Sequence, residues 1–177
     1  MIIDVIDGSD PKLAENIPKW IKFRKSNSTI IVLPPMSNGV AEMVNQIQMK
    51  AQPASLYILR IWGHGRPGMI GVSGGPDESF THFSGLSLSN IMLQKDVLES
   101  LNPLFSTSGR VELRGCNVGE NDDGQAFVTI LAEIWQVNIS AGRILQSAGT
   151  TENLWSPPVL TVMPNGASLM SQGTPFE

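Results

Sequence analysis

The sequence predicts an α/β protein with a mainly parallel, six-stranded sheet between layers of helices, and three observations lead to this fold class. Short apolar runs alternate along the chain with amphipathic stretches of helical spacing, the pattern of strand–helix–strand units. The runs are apolar almost throughout, as expected of parallel strands covered on both faces. No internal repeat or low-complexity linker divides the 177 residues, so we expect one domain over residues 1–177.

The first half of the chain contains three predicted strands and two predicted helices. Apolar and β-branched runs predict strands at 1–7, 28–34 and 55–63. Apolar residues at helical spacing predict helices at 11–25 and 37–51. Pro18 lies inside the first helix and is expected to interrupt it. The second helix is expected to be capped by Ser37 or Asn38.

The second half adds three strands and two helices. Glycine, serine and proline are frequent over 65–90, where MIGVS (69–73) is expected to form a small hairpin arm. Further strands are expected at 109–115, 137–142 and 158–164, the last of them turning at Asn165-Gly166. Helices are expected at 90–105 and 122–136, and the second has acidic residues in its first turn, which suits the helix dipole.

Composition limits which partners and which cellular location we expect for the protein. The net charge of -4 gives no reason to expect nucleic acid or an anionic membrane as a partner. A single cysteine cannot form an internal disulfide, and no apolar run approaches the ~20 residues that span a bilayer. The start, MIIDVIDGSD, lacks the features of a signal peptide. We therefore expect a cytoplasmic protein, or one exported without a signal peptide.

One of the two histidines and the only cysteine each follow a predicted strand, next to a glycine. His64 ends the stretch LYILRIWGH and Cys116 ends VELRGC. Ligands of open α/β sheets bind at the carboxyl ends of strands, and a thiol near an imidazole suits nucleophilic attack on an acyl group. Either residue alone would more often be structural. Together, at the ends of neighbouring strands, they favour a catalytic pair.

These two strand ends resemble those of the caspase-like cysteine peptidases, which include caspases, legumains, clostripains and gingipains. His64 precedes Cys116 by 52 residues (116 − 64), similar to the spacing of about 50 in caspases. The stretch GCNVGENDDGQAFVTILAEIWQVNISAG is also similar to an uncharacterised caspase-like domain of large bacterial surface and repeat proteins. The resemblance covers roughly residues 55–145 well, and the first strands by general topology only.

The resemblance implies a three-layer α/β/α caspase-like fold and a cysteine endopeptidase that acts on protein or peptide substrates. Cys116 would be the nucleophile that forms an acyl-enzyme, and His64 the general acid and base. The backbone N–H groups of Cys116 and Gly65 would stabilise the oxyanion. No cofactor and no metal is implied. Caspases have Gln-Ala before the cysteine where this chain has Arg114-Gly115, and their acidic inter-subunit linker has no counterpart here.

Three arginines are candidates for substrate binding. Arg114 occupies the place of the caspase glutamine that lines the pocket before the cleaved bond, so it could favour acidic side chains. Arg66 and Arg143 follow other strand ends and could add positive potential, although solvated loop arginines are the simpler interpretation.

Arg114 also has a structural interpretation. If His64 is level with Cys116, Arg60 is level with Glu112 in a cross-strand ion pair. Trp62 is then level with Arg114, which allows a cation–π contact. The sequence leaves both interpretations of Arg114 open.

Two other functional hypotheses remain open. The chain could be an inactive caspase-fold domain used for binding or assembly, or a flavodoxin-like binder of a nucleotide or small molecule. His82 is interpreted as an ordinary loop residue. The glycines of the 71–75 region do not form a phosphate-binding fingerprint. The acidic residues around the start of the last predicted helix are interpreted as helix caps, with calcium binding left open; they are Glu120, Asp122 and Asp123.

Overall fold

The computed structural model describes residues 1–23, 27–74, 84–146 and 157–172. The strands in this part of the chain are β1 (Ile2–Asp7), β2 (Ser28–Leu33), β3 (Leu56–Trp62), β4 (Gly65–Arg66), β5 (Met69–Gly71), β6 (Gly85–Ser87), β7 (Phe105–Arg114), β8 (Asn138–Gly142), β9 (Val159–Val162) and β10 (Ser168–Ser171). The α-helices are α1 (Pro11–Phe23), α2 (Gly39–Lys50), α3 (Lys95–Glu99) and α4 (Asn121–Trp135). None of the described helices is long and apolar enough to cross a membrane.

A seven-stranded mixed sheet forms the centre of the molecule, in the order β10-β9-β8-β7-β3-β1-β2. Five neighbouring strands of this sheet are parallel, namely β8, β7, β3, β1 and β2. At one edge, β9 pairs antiparallel with β8, and β10 pairs antiparallel with β9. The predicted α/β class with a mainly parallel sheet is therefore confirmed. A separate antiparallel sheet, β4-β5-β6, contains the hairpin arm that the sequence predicts near MIGVS.

The main sheet has seven described strands where the sequence predicts six. The predicted turn at Asn165-Gly166 reverses the chain, and β10 then pairs with β9. Gly166 adopts a positive φ of 80°, and the Asn165 side chain accepts a hydrogen bond from the Ala167 amide at 3.1 Å. The turn is evident in the sequence, whereas the short strand β10 that follows it is not.

Helices cover both faces of the sheet. Side chains of a strand alternate between faces, and in β1 the odd positions Ile3 and Val5 join the core that contains α2 and α4. Ile6 points to the opposite face, where it packs with Ile17 and Ile21 of α1. The sheet is thus the middle of three layers.

The expected interruption at Pro18 is wrong, because α1 continues through this residue to Phe23. Ile17 and Ile21 are both 1% exposed and lie against the sheet. Burying each isoleucine contributes about 1.5–3 kcal/mol, which offsets the about 3 kcal/mol that a proline inside a helix costs.

The helix expected over 90–105 is broken into short pieces. A 3₁₀ turn over Ile91–Gln94 leads into α3, and a second 3₁₀ turn covers Asn102–Leu104. Pro103 lies at the start of the second turn, where its missing N–H is tolerated but a longer helix is not. Strand β7 then begins at Phe105, four residues before its predicted start at 109.

Candidate functional site

The loops that carry His64 and Cys116 leave the same edge of the sheet. Strands β3 and β7 are parallel neighbours, and Trp62 at the end of β3 is level with Arg114 at the end of β7. His64 and Cys116 each lie two residues beyond these positions. The structure therefore places both residues after the carboxyl ends of adjacent parallel strands, as the sequence analysis expects.

Glycine residues allow the two loops to touch through their main chains. A Cβ atom at Gly65 would lie 2.6 Å from the carbonyl oxygen of Cys116 and 3.0 Å from its amide nitrogen. A Cβ atom at Gly115 would lie 3.2 Å from the Cα atom of Gly65 and 3.0 Å from the oxygen of Gly63. Any larger residue at 65 would have to displace backbone, so glycine sets the close approach of the loops.

The thiol of Cys116 is half-buried and contacts the segment that follows β8. Its Sγ accepts a hydrogen bond from the amide of Gln146 at 3.3 Å and lies 3.6 Å from the carbonyl oxygen of the same residue. The amide of Asn117 also bonds to the oxygen of Ile144 at 3.0 Å. Among the described contacts no hydrogen bond joins the thiol to His64, a looseness that catalytic pairs without substrate often show.

His64 has an acidic partner that the sequence analysis missed. Its Nε2 lies 2.6 Å from Oδ2 of Asp10, in the turn between β1 and α1. The Asp10 side chain is 13% exposed and the His64 side chain 44% exposed. Burial raises the pKa of Asp10, but hydrogen bonds from His64 and from the amides of Lys12 and Leu13 outweigh it, so this pKa lies below its ordinary value. The Asp10-Pro11 pair is a recognisable helix start, although it does not reveal the contact with histidine.

Comparison with known proteins provides a family but no function. A model of the domain of unknown function DUF4347 matches residues 9–155, which include Asp10, His64 and Cys116. The chain belongs to this family. No curated protein and no solved structure matches it. The chemistry of this DUF4347 domain therefore has to be argued from its own site.

Arg114 of the DUF4347 domain is occupied inside the sheet. Its side chain is 9% exposed, and its Nε donates to Oε2 of Glu112 at 3.1 Å. The guanidinium lies 5.3 Å from the ring centre of Trp62, and Arg60 Nε reaches the same Glu112 oxygen at 3.0 Å. The predicted Arg60–Glu112 pair and the Trp62–Arg114 contact are both confirmed. Burial lowers the pKa of Arg114 to about 10, although the charge of Glu112 opposes this shift.

The other two arginines predicted to bind substrate contact methionine sulfur atoms. Arg66 is exposed, and its Nε donates to Sδ of Met69 at 3.1 Å. Arg143 is half-buried, with Nη1 3.9 Å from Sδ of Met170. Neither forms an ion pair with another described residue. Arg66 follows the loop of His64 directly, and Arg143 begins the segment that contacts the thiol.

We expect Arg114→Gln to destabilise the fold and to leave substrate selectivity unchanged. The change removes one partner of a buried ion pair, a loss that typically costs about 3–5 kcal/mol. Chemical denaturation gives the free energy of unfolding, and a positional peptide library gives the selectivity. Arg66→Gln, at an exposed position, is the control and should leave stability within about 0.5 kcal/mol of wild type. Lost selectivity for acidic residues at unchanged stability would instead identify Arg114 as a pocket residue.

Among the described contacts, the acidic residues around the start of α4 do not act as the predicted caps. Asn121 has that role, since its Oδ1 accepts hydrogen bonds from the amides of Asp123 and Gly124 at 3.0 and 3.3 Å. Glu120 makes no side-chain cap and instead contacts Asn117. No group of three or more acidic, histidine or cysteine side chains in the described ranges could hold a metal ion. His82 lies outside the described residues.

Proposed function

We propose that this chain is a cysteine endopeptidase with a caspase-like fold, acting on protein or peptide substrates. The observation that supports it most is the main-chain contact between Gly65 and Cys116 at the ends of adjacent parallel strands. That contact brings the only cysteine close to a histidine that an aspartate already holds. Thiol, imidazole and orienting acid are the groups that nucleophilic acyl transfer requires.

In this proposal the two ring nitrogens of His64 have different roles. Nε2 bonds to Asp10, so Nδ1 is left to take the thiol proton. The thiolate attacks the peptide carbonyl, and the N–H groups of Gly65 and Cys116 stabilise the oxyanion. As the C–N bond breaks, His64 returns the proton to the leaving amine and an acyl-enzyme remains. Water, deprotonated by His64, then hydrolyses the thioester. No cofactor or metal is needed for these steps.

For substrate binding we favour Arg66 and Arg143 over Arg114. The guanidinium of Arg114 is paired with Glu112 and covered. Arg66 and Arg143 adjoin the His64 and Cys116 segments, and among the described residues their side chains contact sulfur atoms. Two arginines with such weak partners at this edge would attract acidic side chains of a substrate.

A second candidate function is a caspase-fold binding or assembly domain without catalysis. One observation favours it: the thiol contacts the main chain of Gln146 rather than His64. The two functions differ in what they require of the thiol, because only a catalytic cysteine needs to be more reactive in the folded protein than in the unfolded one.

Alkylation by a tagged iodoacetamide distinguishes these candidates. The chain contains one cysteine, so every thiol adduct is at Cys116. We expect folded wild type to react faster than the urea-unfolded chain, and His64→Ala to lose this advantage. A positional peptide library, run with wild type and Cys116→Ala, then tests cleavage itself. Slower labelling of the folded protein, together with no cleavage, would support the binding domain.

A further inference from the structure

We infer that Asp10 is the positioning residue for His64, and that it does this while capping helix α1. The inference rests on the proposed function, because positioning matters only if His64 transfers protons. One carboxylate carries both contacts: Oδ2 meets the imidazole, and Oδ1 meets the first turn of the helix.

The cap fixes the orientation of the carboxylate. Oδ1 of Asp10 accepts hydrogen bonds from the amides of Lys12 at 2.7 Å and Leu13 at 3.4 Å. The main-chain oxygen of Asp10 accepts from the amide of Ala14 at 3.0 Å. This is the arrangement of an N-cap followed by proline at the first helical position. With three backbone donors on one residue, Oδ2 has little freedom to leave His64.

Helix α1 is anchored to the strand that carries His64. Ile17 and Ile21 pack with Ile6 and with Trp62, which precedes His64 by two residues. The carboxylate at the start of α1 and the imidazole beyond β3 are therefore joined through one packed unit. A rigid link of this kind is what holds a catalytic base in its productive orientation.

The contact also selects the tautomer of the imidazole. An ionised carboxylate only accepts hydrogen bonds, so Nε2 of His64 has to carry a proton. The lone pair is then on Nδ1, the nitrogen that the thiol can use. When His64 becomes positively charged during the reaction, the adjacent carboxylate stabilises that charge.

Two variants of Asp10 separate positioning from folding. Serine at position 10 can still cap the helix, since serine is among the best N-cap residues, but it is too short to reach His64. Asparagine can also cap the helix through Oδ1, but its Nδ2 amide then faces His64 and donates where the carboxylate accepts. Cys116→Ala is the reference for loss of chemistry, and thermal melting reports on the fold.

We expect Asp10→Ser to melt close to wild type, with kcat reduced about 10²- to 10⁴-fold, the range of acid–base contributions. KM should change little, because Asp10 does not meet the substrate. Asp10→Asn should lose kcat at least as much, because its amide favours protonated Nδ1, the tautomer that cannot accept the thiol proton. Nitrogen NMR of the imidazole, assigned with His64→Ala, should show protonated Nε2 in wild type and mixed tautomers in Asp10→Ser.

Wild-type kcat in Asp10→Ser would overturn the inference, as would an unchanged His64 tautomer. The NMR measurement does not depend on cleavage. If wild type cleaves no peptide, the proposed function fails, and the tautomer alone decides whether Asp10 orients His64.

Discussion

Replacing Cys116 with alanine is expected to abolish peptide cleavage and to leave the fold intact. The change removes the nucleophile, for which the site offers no substitute, and losses of about 10⁴-fold or more are typical of such variants. Stability should change little, because the side chain is half-buried and its hydrogen bonds to described residues go to the main chain of Gln146. Turnover of a fluorogenic peptide and a thermal melt measure the two effects.

His64→Ala should lose cleavage to a similar extent, since the thiol and the imidazole act as a unit. The chain provides a matched control in its second histidine, because His82→Ala should keep near-wild-type turnover. If Cys116→Ala retained the biological effect of the protein, that effect would come from binding, and the peptidase proposal would be wrong.

Strand periodicity places His64 and Cys116 just beyond the ends of two predicted strands. Their common level follows only if those two strands are neighbours, an arrangement that the prediction assumes and that β3 and β7 adopt. The same register predicted the Arg60–Glu112 pair, which the structure bears out. Once the register of two adjacent parallel strands is known at one position, counting residues gives which side chains lie level with each other at the others.

Asp10 could not be anticipated in the same way. Its local pattern predicts a helix cap, but the contact with His64 spans 54 positions of the chain. The contact depends on how α1 lies against β3. Pro18 shows the same limit for the fold, because the burial of Ile17 and Ile21 overrode a local helix-breaking signal.

A second large effect is expected at the buried carboxylate of Glu112. This side chain lies among three arginines and is 2% exposed as a residue. Its Oε2 accepts from Arg60 at 3.0 Å and from Arg114 at 3.1 Å, and its Oε1 accepts from Arg110 at 3.3 Å. Burial raises the pKa of Glu112, but the arginines outweigh it and hold this pKa below its ordinary value. A second carboxylate, Asp4 of β1, lies level with Arg60 of β3 beside this cluster.

Glu112→Gln should therefore destabilise the protein by about 3–5 kcal/mol at pH 7, because the arginines would stay buried with one negative charge fewer. The pKa of Glu112 is lowered on folding, so its ionised form stabilises the fold above about pH 4, and this contribution is lost as the pH falls through the folded value. Urea denaturation of wild type and Glu112→Gln should show that the difference in their free energies of unfolding becomes smaller in acid. Glu15→Gln is the control, because Glu15 forms an exposed ion pair with Lys19 on α1. This variant should unfold with almost the same free energy as wild type at both pH values. An equal difference between wild type and Glu112→Gln at pH 7 and in acid would mean that packing, rather than the charge of Glu112, supports the strands below Cys116.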